Sequence, residues 1–325
     1  MPKNAPVWIV GVGPLSVEYW KVLTRLDRPV TAIGRGAASA NQYADATGEA
    51  PHQGGLQSFL AKRPTMPEFA IVATGMEALA HTTLQLLHYG VRRVLVEKPG
   101  AMTFEELSAV QALAKSTGAE VTIAYNRRLF SSVLHAKQMI LEDGGVQSFN
   151  FEFTEWSDRL LAASKAPGVL ERCVLGNSSH VIDLAFHLGG EPCQIHCLTA
   201  GGFDWHPAAA VFAGTGRSQS DALFSYAANW QAPGRWGAEF NTSNYRFIFR
   251  PMEKLQIVRK GSVRVEPVAV DNALDVGFKP GLFVQTQRFL SGDLDDLCSL
   301  DEQIRRWPIY EKIAGYDHTP PKPLD

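Results

Sequence analysis

Val7-Trp8-Ile9-Val10-Gly11-Val12-Gly13-Pro14-Leu15-Ser16 is the stretch whose reading decides the fold. Four apolar residues in a row suit a strand buried on both faces. Gly11 permits a tight turn directly after it, and Gly13 lets the backbone approach a neighbouring group closely. Pro14 fits the first turn of a helix, where its missing N–H is no loss, and Ser16 is small enough for the place where helix meets strand. The order is strand, glycine turn, helix, with the helix running to about Leu26. Such a turn leaves helix N–H groups and the positive helix end available to phosphate oxygens, and Leu15 stands beside them.

The same rhythm continues outward. Val30-Thr31-Ala32-Ile33, Phe69 to Ala73, Arg93 to Val96 and Glu120 to Ala124 read as further strands. Helical segments alternate with them around Ala38 to Ala46, Glu77 to Tyr89 and Phe104 to Ser116, the last opened by Thr103 as N-cap with Glu106 three residues on. Alternation of this kind predicts an α/β fold with a doubly wound parallel sheet of the Rossmann type over residues 1–124. At the end of the second strand, where an acid usually binds the ribose 2′-OH of a dinucleotide, stands Gly34-Arg35-Gly36. An arginine beside small residues accommodates a 2′-phosphate, with Ser39 and Asn41 close enough to add hydrogen bonds. NADP(H) is therefore favoured over NAD(H). If Arg35 is instead only solvated, another contact such as Arg128 must serve.

Composition narrows the rest. The 325 residues suggest two domains, and their formal net charge of −2, with 20% charged residues, gives no electrostatic footprint for nucleic acid or an anionic membrane. No apolar run approaches a membrane span, and the N-terminus enters the first strand without a signal-peptide core, so the cytoplasm is the expected location. Four cysteines are too sparse for a disulfide framework. Cys193, His196 and Cys197 lie on a predicted strand, where His196 and Cys197 diverge to opposite faces, and no metal site is expected.

Glu97-Lys98-Pro99 closes the fourth strand. Strand carboxyl ends line the ligand crevice of an open α/β sheet, and the residue before a proline is held extended, so Lys98 is aimed into that crevice. Asn126-Arg127-Arg128 follows the fifth strand near the end of the domain. Arginine there can bind a phosphate, a carboxylate or an acidic residue of the second domain. Beyond it, a helix over Ser131 to Leu141 leads into β-rich sequence: Val146 to Trp156, Cys193 to Ala200, Asp221 to Trp230, Glu239 to Phe240, Tyr245 to Phe249, Leu255 to Val258 and Ser262 to Val265. Phe149, Phe151 and Phe153 alternate with Asn150, Glu152 and Thr154, as on a half-buried strand. Ser157 to Leu170, rich in small residues, reads as a loop over the crevice.

These signals, with Ala73-Thr74 at a strand end and His180-Val181-Ile182-Asp183 followed by Leu188-Gly189-Gly190, resemble the Gfo/Idh/MocA family, named for glucose-fructose oxidoreductase and inositol dehydrogenase. The resemblance covers nearly the whole chain. It implies a nicotinamide-dependent oxidoreductase acting on sugars, sugar derivatives or cyclitols, and a second, α+β domain over 125–325 whose large open antiparallel sheet is covered by a partner subunit in a homo-oligomer. It adds Ala73, Thr74, Glu97, Lys98, Asn126 and Arg128 to the expected nucleotide contacts. It also implies that His180 takes the hydroxyl proton while Lys98 stabilises the same oxygen. The loop from Ser157 to Leu170, together with Glu155, Trp156 and Arg172, is expected to supply substrate contacts, with Asn177 beside them.

Ser178 is a plausible N-cap for the helix carrying His180. Two roles are open to Asp183, orienting His180 as part of the catalytic group or capping structure. One departure matters: an aspartate often sits four residues before the family's histidine, and here that position is Gly176, beside Asn177. Three outcomes are open. Lys98 and His180 suffice, Tyr125 or Asp158 substitutes, or the chemistry runs as ketone reduction with Lys98 the main proton donor. The rival reading is a nucleotide-binding sensor on the same fold that turns over nothing. A third is an oxidoreductase for an imine or an unsaturated tetrapyrrole.

Overall fold

The computed structural model describes residues 6–162 and 165–316. The chain begins with β1 (Val7–Val10), α1 (Pro14–Arg25), β2 (Val30–Ile33), α2 (Ala37–Thr47), α3 (Gly55–Ala61), β3 (Ala70–Val72), α4 (Leu79–Tyr89), β4 (Arg93–Glu97), α5 (Phe104–Thr117) and β5 (Glu120–Ala124). Next come α6 (Ser131–Glu142), β6 (Ser148–Glu152), α7 (Ser157–Ala162) and α8 (Ser179–Gly189), the last entered through a π-turn, Val174–Ser178. The strands β7 (Pro192–Ala200), β8 (Val211–Ser218), β9 (Leu223–Asn229), β10 (Gly237–Asn241), β11 (Tyr245–Phe249), β12 (Gln256–Arg259) and β13 (Glu266–Pro267) follow. The described chain closes with α9 (Ala273–Gly277), α10 (Leu282–Ser291), β14 (Cys298–Ser299) and α11 (Leu300–Ala314).

Among the described residues two compact units result: those up to Ser131 together with Asp271–Ile304, and those from Ser132 to Val270 together with those from Arg305 on. The single boundary expected at 124/125 is thus corrected, because a late segment returns to the first unit. There β14 pairs antiparallel with β5, Cys298 opposite Ile123, on the edge of a six-stranded sheet ordered β14-β5-β4-β3-β1-β2. The other five strands are parallel. Return of α10 brings Gln285 within 3.1 Å of the Tyr19 hydroxyl on α1, both side chains being fully buried. The capping box holds as expected, the Thr103 hydroxyl accepting from the Glu106 N–H at 3.2 Å.

The second unit is built on an eight-stranded sheet ordered β13-β12-β11-β10-β6-β9-β8-β7, antiparallel except where β6 lies parallel to β9. Phe149, Phe151 and Phe153 are buried as their alternation predicts. Phe149 stacks on Phe224 at 5.1 Å and Phe151 on Tyr226 at 5.3 Å, while Phe186 of α8 meets Phe151 edge-on at 5.7 Å. Burying each phenyl ring stabilises the layer by roughly 2–3 kcal/mol. Helix and sheet approach so closely at Gly189 that a Cβ there would fall 2.4 Å from the Phe149 ring. This contact fixes where α8, and with it His180, stands against the sheet. Ser262 to Val265 forms no strand, and Val263 is 97% exposed. The predicted loop after Ser157 starts as α7, with residues 163 and 164 outside the described chain.

Candidate active site

In the first unit, a cavity of about 640 Å³ opens at the glycine turn, lined among others by Gly11, Gly13, Gly34, Arg35, Ser39, Ala73 and Thr74. Gly11 has φ +110°, and a Cβ on it would lie 2.3 Å from the Ala73 carbonyl oxygen, so no other residue fits. Gly34 is crowded more mildly, its Cβ position being 2.4 Å from a side-chain methyl of Val12. Gly13, by contrast, faces open space with nothing within 4 Å, the cradle that a backbone approaching a pyrophosphate requires. It is also the N-cap of α1 and no side chain caps that helix, so its leading N–H groups are available to an anionic ligand. The residues therefore fit a dinucleotide.

Pro14, Leu15 and Ser16 do not line this cavity. Ser16 is fully buried, which makes it packing at the helix–strand crossing. Arg35 is exposed on the cavity wall, and Ser39 bonds the Gly36 carbonyl at 3.3 Å. The sequence reading missed another part of the lining, formed by Gly54, Gly55, Leu56 and Gln57. An irregular loop reaches β2 there: Gly34 N–H donates to the His52 carbonyl at 2.7 Å and Gly55 N–H to that of Gly34 at 2.8 Å. It also missed Glu77, His81 and Gln85, whose helical spacing of four puts them on one face before and along α4.

Asn126 and Arg128 turn inward rather than toward the cavity. Arg128 is 1% exposed and donates to Glu302 at 2.7 Å, and Asn126 donates to the Pro280 carbonyl at 2.8 Å. Both partners come from the returning segment, which holds the turn after β5. Glu97 is likewise an internal anchor, since the Tyr19 hydroxyl donates to it at 2.7 Å and Gln285 donates to Tyr19. Burial pushes the Glu97 carboxyl up, opposed by the Tyr19 hydrogen bond and by the charges of Lys98 and Lys279. Lys98 follows, half-buried, before a cis Lys98–Pro99 bond. The buried Gln303 donates to the Pro99 carbonyl at 2.9 Å, so the backbone is held on both sides of Lys98.

In the second unit, His180 lies in the first turn of α8 and is 7% exposed. Ser178 does not cap this helix. Its backbone is already helical, because the π-turn leads into α8 without a break, and its hydroxyl donates instead to Glu155. Asp183 is fixed by Arg306, whose Nη1 lies at 2.8 Å, and that guanidinium also grips Glu191 through Nε at 2.8 Å. Tyr310 reaches Asp183 as well, at 3.5 Å. Arg172 stacks over Tyr316 at 4.7 Å and pairs with Glu311 at 3.7 Å. Trp156 is 43% exposed, with the guanidinium groups of Arg159 and Arg235 at 4.3 and 4.7 Å from its ring.

Residues 6–125 match the family model described as oxidoreductase family, NAD-binding Rossmann fold, GFO_IDH_MocA. No curated protein matches the sequence. Among solved structures, levoglucosan dehydrogenase in complex with NADH and levoglucosan is similar at TM-score 0.78 and 18% identity, covering 97% of this chain and 98% of that one. UDP-N-acetylglucosamine 3-dehydrogenase GnnA from Acidithiobacillus ferrooxidans is similar at 0.73 and 15%, covering 95% and 96%. The WlbA dehydrogenase from Bordetella pertussis, in complex with NADH and UDP-GlcNAcA, is similar at 0.72 and 16%, covering 99% and 100%. At these identities the likeness establishes the shared two-part fold, and the family model identifies its nucleotide-binding part. With the glycine cradle and the lysine after β4, residues 6–125 thus match the NAD-binding Rossmann part of the GFO_IDH_MocA oxidoreductase family.

Proposed function

We propose that this protein interconverts a secondary alcohol and a ketone on a sugar, sugar derivative or cyclitol, using NADP(H). The observation that carries the reading is the cavity at the Gly11–Gly13 turn, built for a dinucleotide and walled by Arg35 where an acid would select an unphosphorylated ribose. Similar structures carry levoglucosan or UDP-GlcNAcA with NADH, which supports a carbohydrate substrate and the hydride chemistry. When bound, the nicotinamide supplies or accepts the hydride. In this reading Lys98 donates a hydrogen bond to the reacting oxygen and stabilises its alkoxide character, while His180 holds or releases the hydroxyl proton. Trp156, Asn177 and Arg172 are proposed to line the sugar site, with Asn177 and Arg172 already oriented by Glu155 and Glu311.

The same reading places the protein in the cytoplasm as a homo-oligomer. Among the described residues no helix is long and apolar enough to cross a membrane. The outer face of the large sheet leaves Leu198 and Leu223 65% and 55% exposed, which supports a second copy as its cover. Light scattering gives the mass that checks this. Titration with NADPH and NADH, followed by nicotinamide fluorescence, tests the cofactor; tighter NADH binding overturns the role of Arg35. Screening sugars, sugar nucleotides and their keto forms at the nicotinamide absorbance band tests the reaction. Turnover that survives both Lys98→Met and His180→Ala would remove those residues from it.

A further inference from the structure

The turn that delivers His180 is gripped by a buried carboxylate that the scheme above does not use. Glu155 follows β6 and is 2% exposed. Its Oε1 accepts from Ser178 Oγ at 2.7 Å and its Oε2 from Asn177 Nδ2 at 2.9 Å. These are the last two residues of the π-turn, and Ser179 closes the same turn by donating to the Leu175 carbonyl at 2.7 Å. Arg235 Nη1 stands 3.7 Å from Oε2. The Arg235 guanidinium also lies over Trp236 at 4.5 Å, and the Trp236 ring is 6.2 Å from that of His180.

A carboxylate in this place is costly to bury, and an apolar residue of similar volume would avoid that cost. What the carboxylate alone offers is acceptor capacity for several donors at once, through charge-assisted hydrogen bonds about twice as strong as neutral ones. Its two oxygens accept from two successive side chains of a turn type that recurs at functional sites. The turn itself, with glycine at 176, carries no acid. We propose that Glu155 is the positioning acid of this site: through Asn177 and Ser178 it sets the π-turn, and through Arg235 it seats Trp236 against the His180 ring. Resting on the role given to His180 above, the proposal makes Glu155 a residue that acts on the proton-handling group from the segment after β6.

Glu155→Gln tests it, since the amide keeps the volume but has one acceptor oxygen for two donors and no charge for Arg235. Imidazole ¹H–¹³C signals of the whole protein, with His180 assigned by its loss in His180→Gln, are the first readout. Displacement of Trp236 changes the ring current at His180, so the His180 signals move while those of His206 stay. Arg235→Met, which leaves the Glu155 hydrogen bonds intact, moves them in the same way. Unmoved His180 signals in both variants overturn the proposal. On a sugar the wild type oxidises, Glu155→Gln lowers kcat roughly 10- to 100-fold, as a small misplacement does, with KM and NADPH affinity within a factor of about 3. Unchanged kcat, or a loss of kcat that follows thermal stability across Glu155→Gln and Arg235→Met, overturns the proposal. If the wild type oxidises no sugar, the role of His180 fails, and the imidazole signals alone decide whether Glu155 governs that ring.

Discussion

Arg306→Met decides what Asp183 is for. Arg306 and Asp183 side chains are 3% and 1% exposed, and the 2.8 Å contact between them is supplemented by the two-pronged grip on Glu191. Methionine preserves the stem packing but removes the guanidinium, taking the 2.8 Å contact with Arg306 from the buried Asp183 carboxylate. Glu191 is 30% exposed and recovers solvation, so most of the loss comes from Asp183. Stranding one partner of a buried pair costs about 3–5 kcal/mol. For a unit of this size that is on the order of 10 °C in the unfolding midpoint. The assay is denaturant and thermal unfolding, followed by tryptophan fluorescence. The double variant Arg306→Met with Asp183→Leu removes both charges and regains much of the stability, because a well-packed apolar pair replaces the ionic one. A loss below about 1 kcal/mol in Arg306→Met would refute the reasoning. So would an Asp183→Asn variant of undiminished stability that has lost turnover, since that result would return Asp183 to orienting His180.

Two further outcomes follow from the same geometry. Gly11→Ala forces a Cβ to within 2.3 Å of the Ala73 carbonyl oxygen at φ +110°, a strain of about 2–3 kcal/mol, and weakens NADPH binding roughly 30- to 150-fold in a fluorescence titration. His206 is buried against Trp230 and Tyr316, with Nδ1 2.8 Å from the Ala209 carbonyl, and burial holds its pKa below the ordinary value. A depressed folded-state pKa makes its contribution complete above the unfolded value of roughly 6.5 and lost as pH falls through the folded one. Unfolding midpoints should therefore drop on acidification below pH ~6.5, and His206→Phe should flatten that part of the profile.

Much of the first unit was legible because its signals are local. A continuous apolar run, two glycines and a proline specify strand, turn and helix within ten residues, and the structure gives Gly11 and Gly34 the steric reasons for being glycine. The aromatic alternation at Phe149, Phe151 and Phe153 likewise placed one face of a strand in the core. Lys98 was singled out from its place at a strand end before a proline, and His180, early in a helix, through the family resemblance.

Tertiary structure decided the rest, because it depends on pairings between segments far apart in the chain. Arg128 was open to a ligand or to an acidic residue from later in the chain until Glu302 came back to meet it, as Pro280 met Asn126. Glu97 was taken up by Tyr19, and Asp183 by Arg306, across separations of 78 and 123 residues. Ser178 has the right residue type for a cap, yet the π-turn before it removes the helix end that a cap would serve. A polar side chain's chemistry is written in its residue type, but its partner is chosen by which distant segment folds against it. The sequence by itself thus determined the strand–turn–helix order, the glycine cradle and the positions of Lys98 and His180. Only the folded chain decided which carboxylates are anchors, which arginines are braces, and that Glu155 stands behind the turn that carries the histidine.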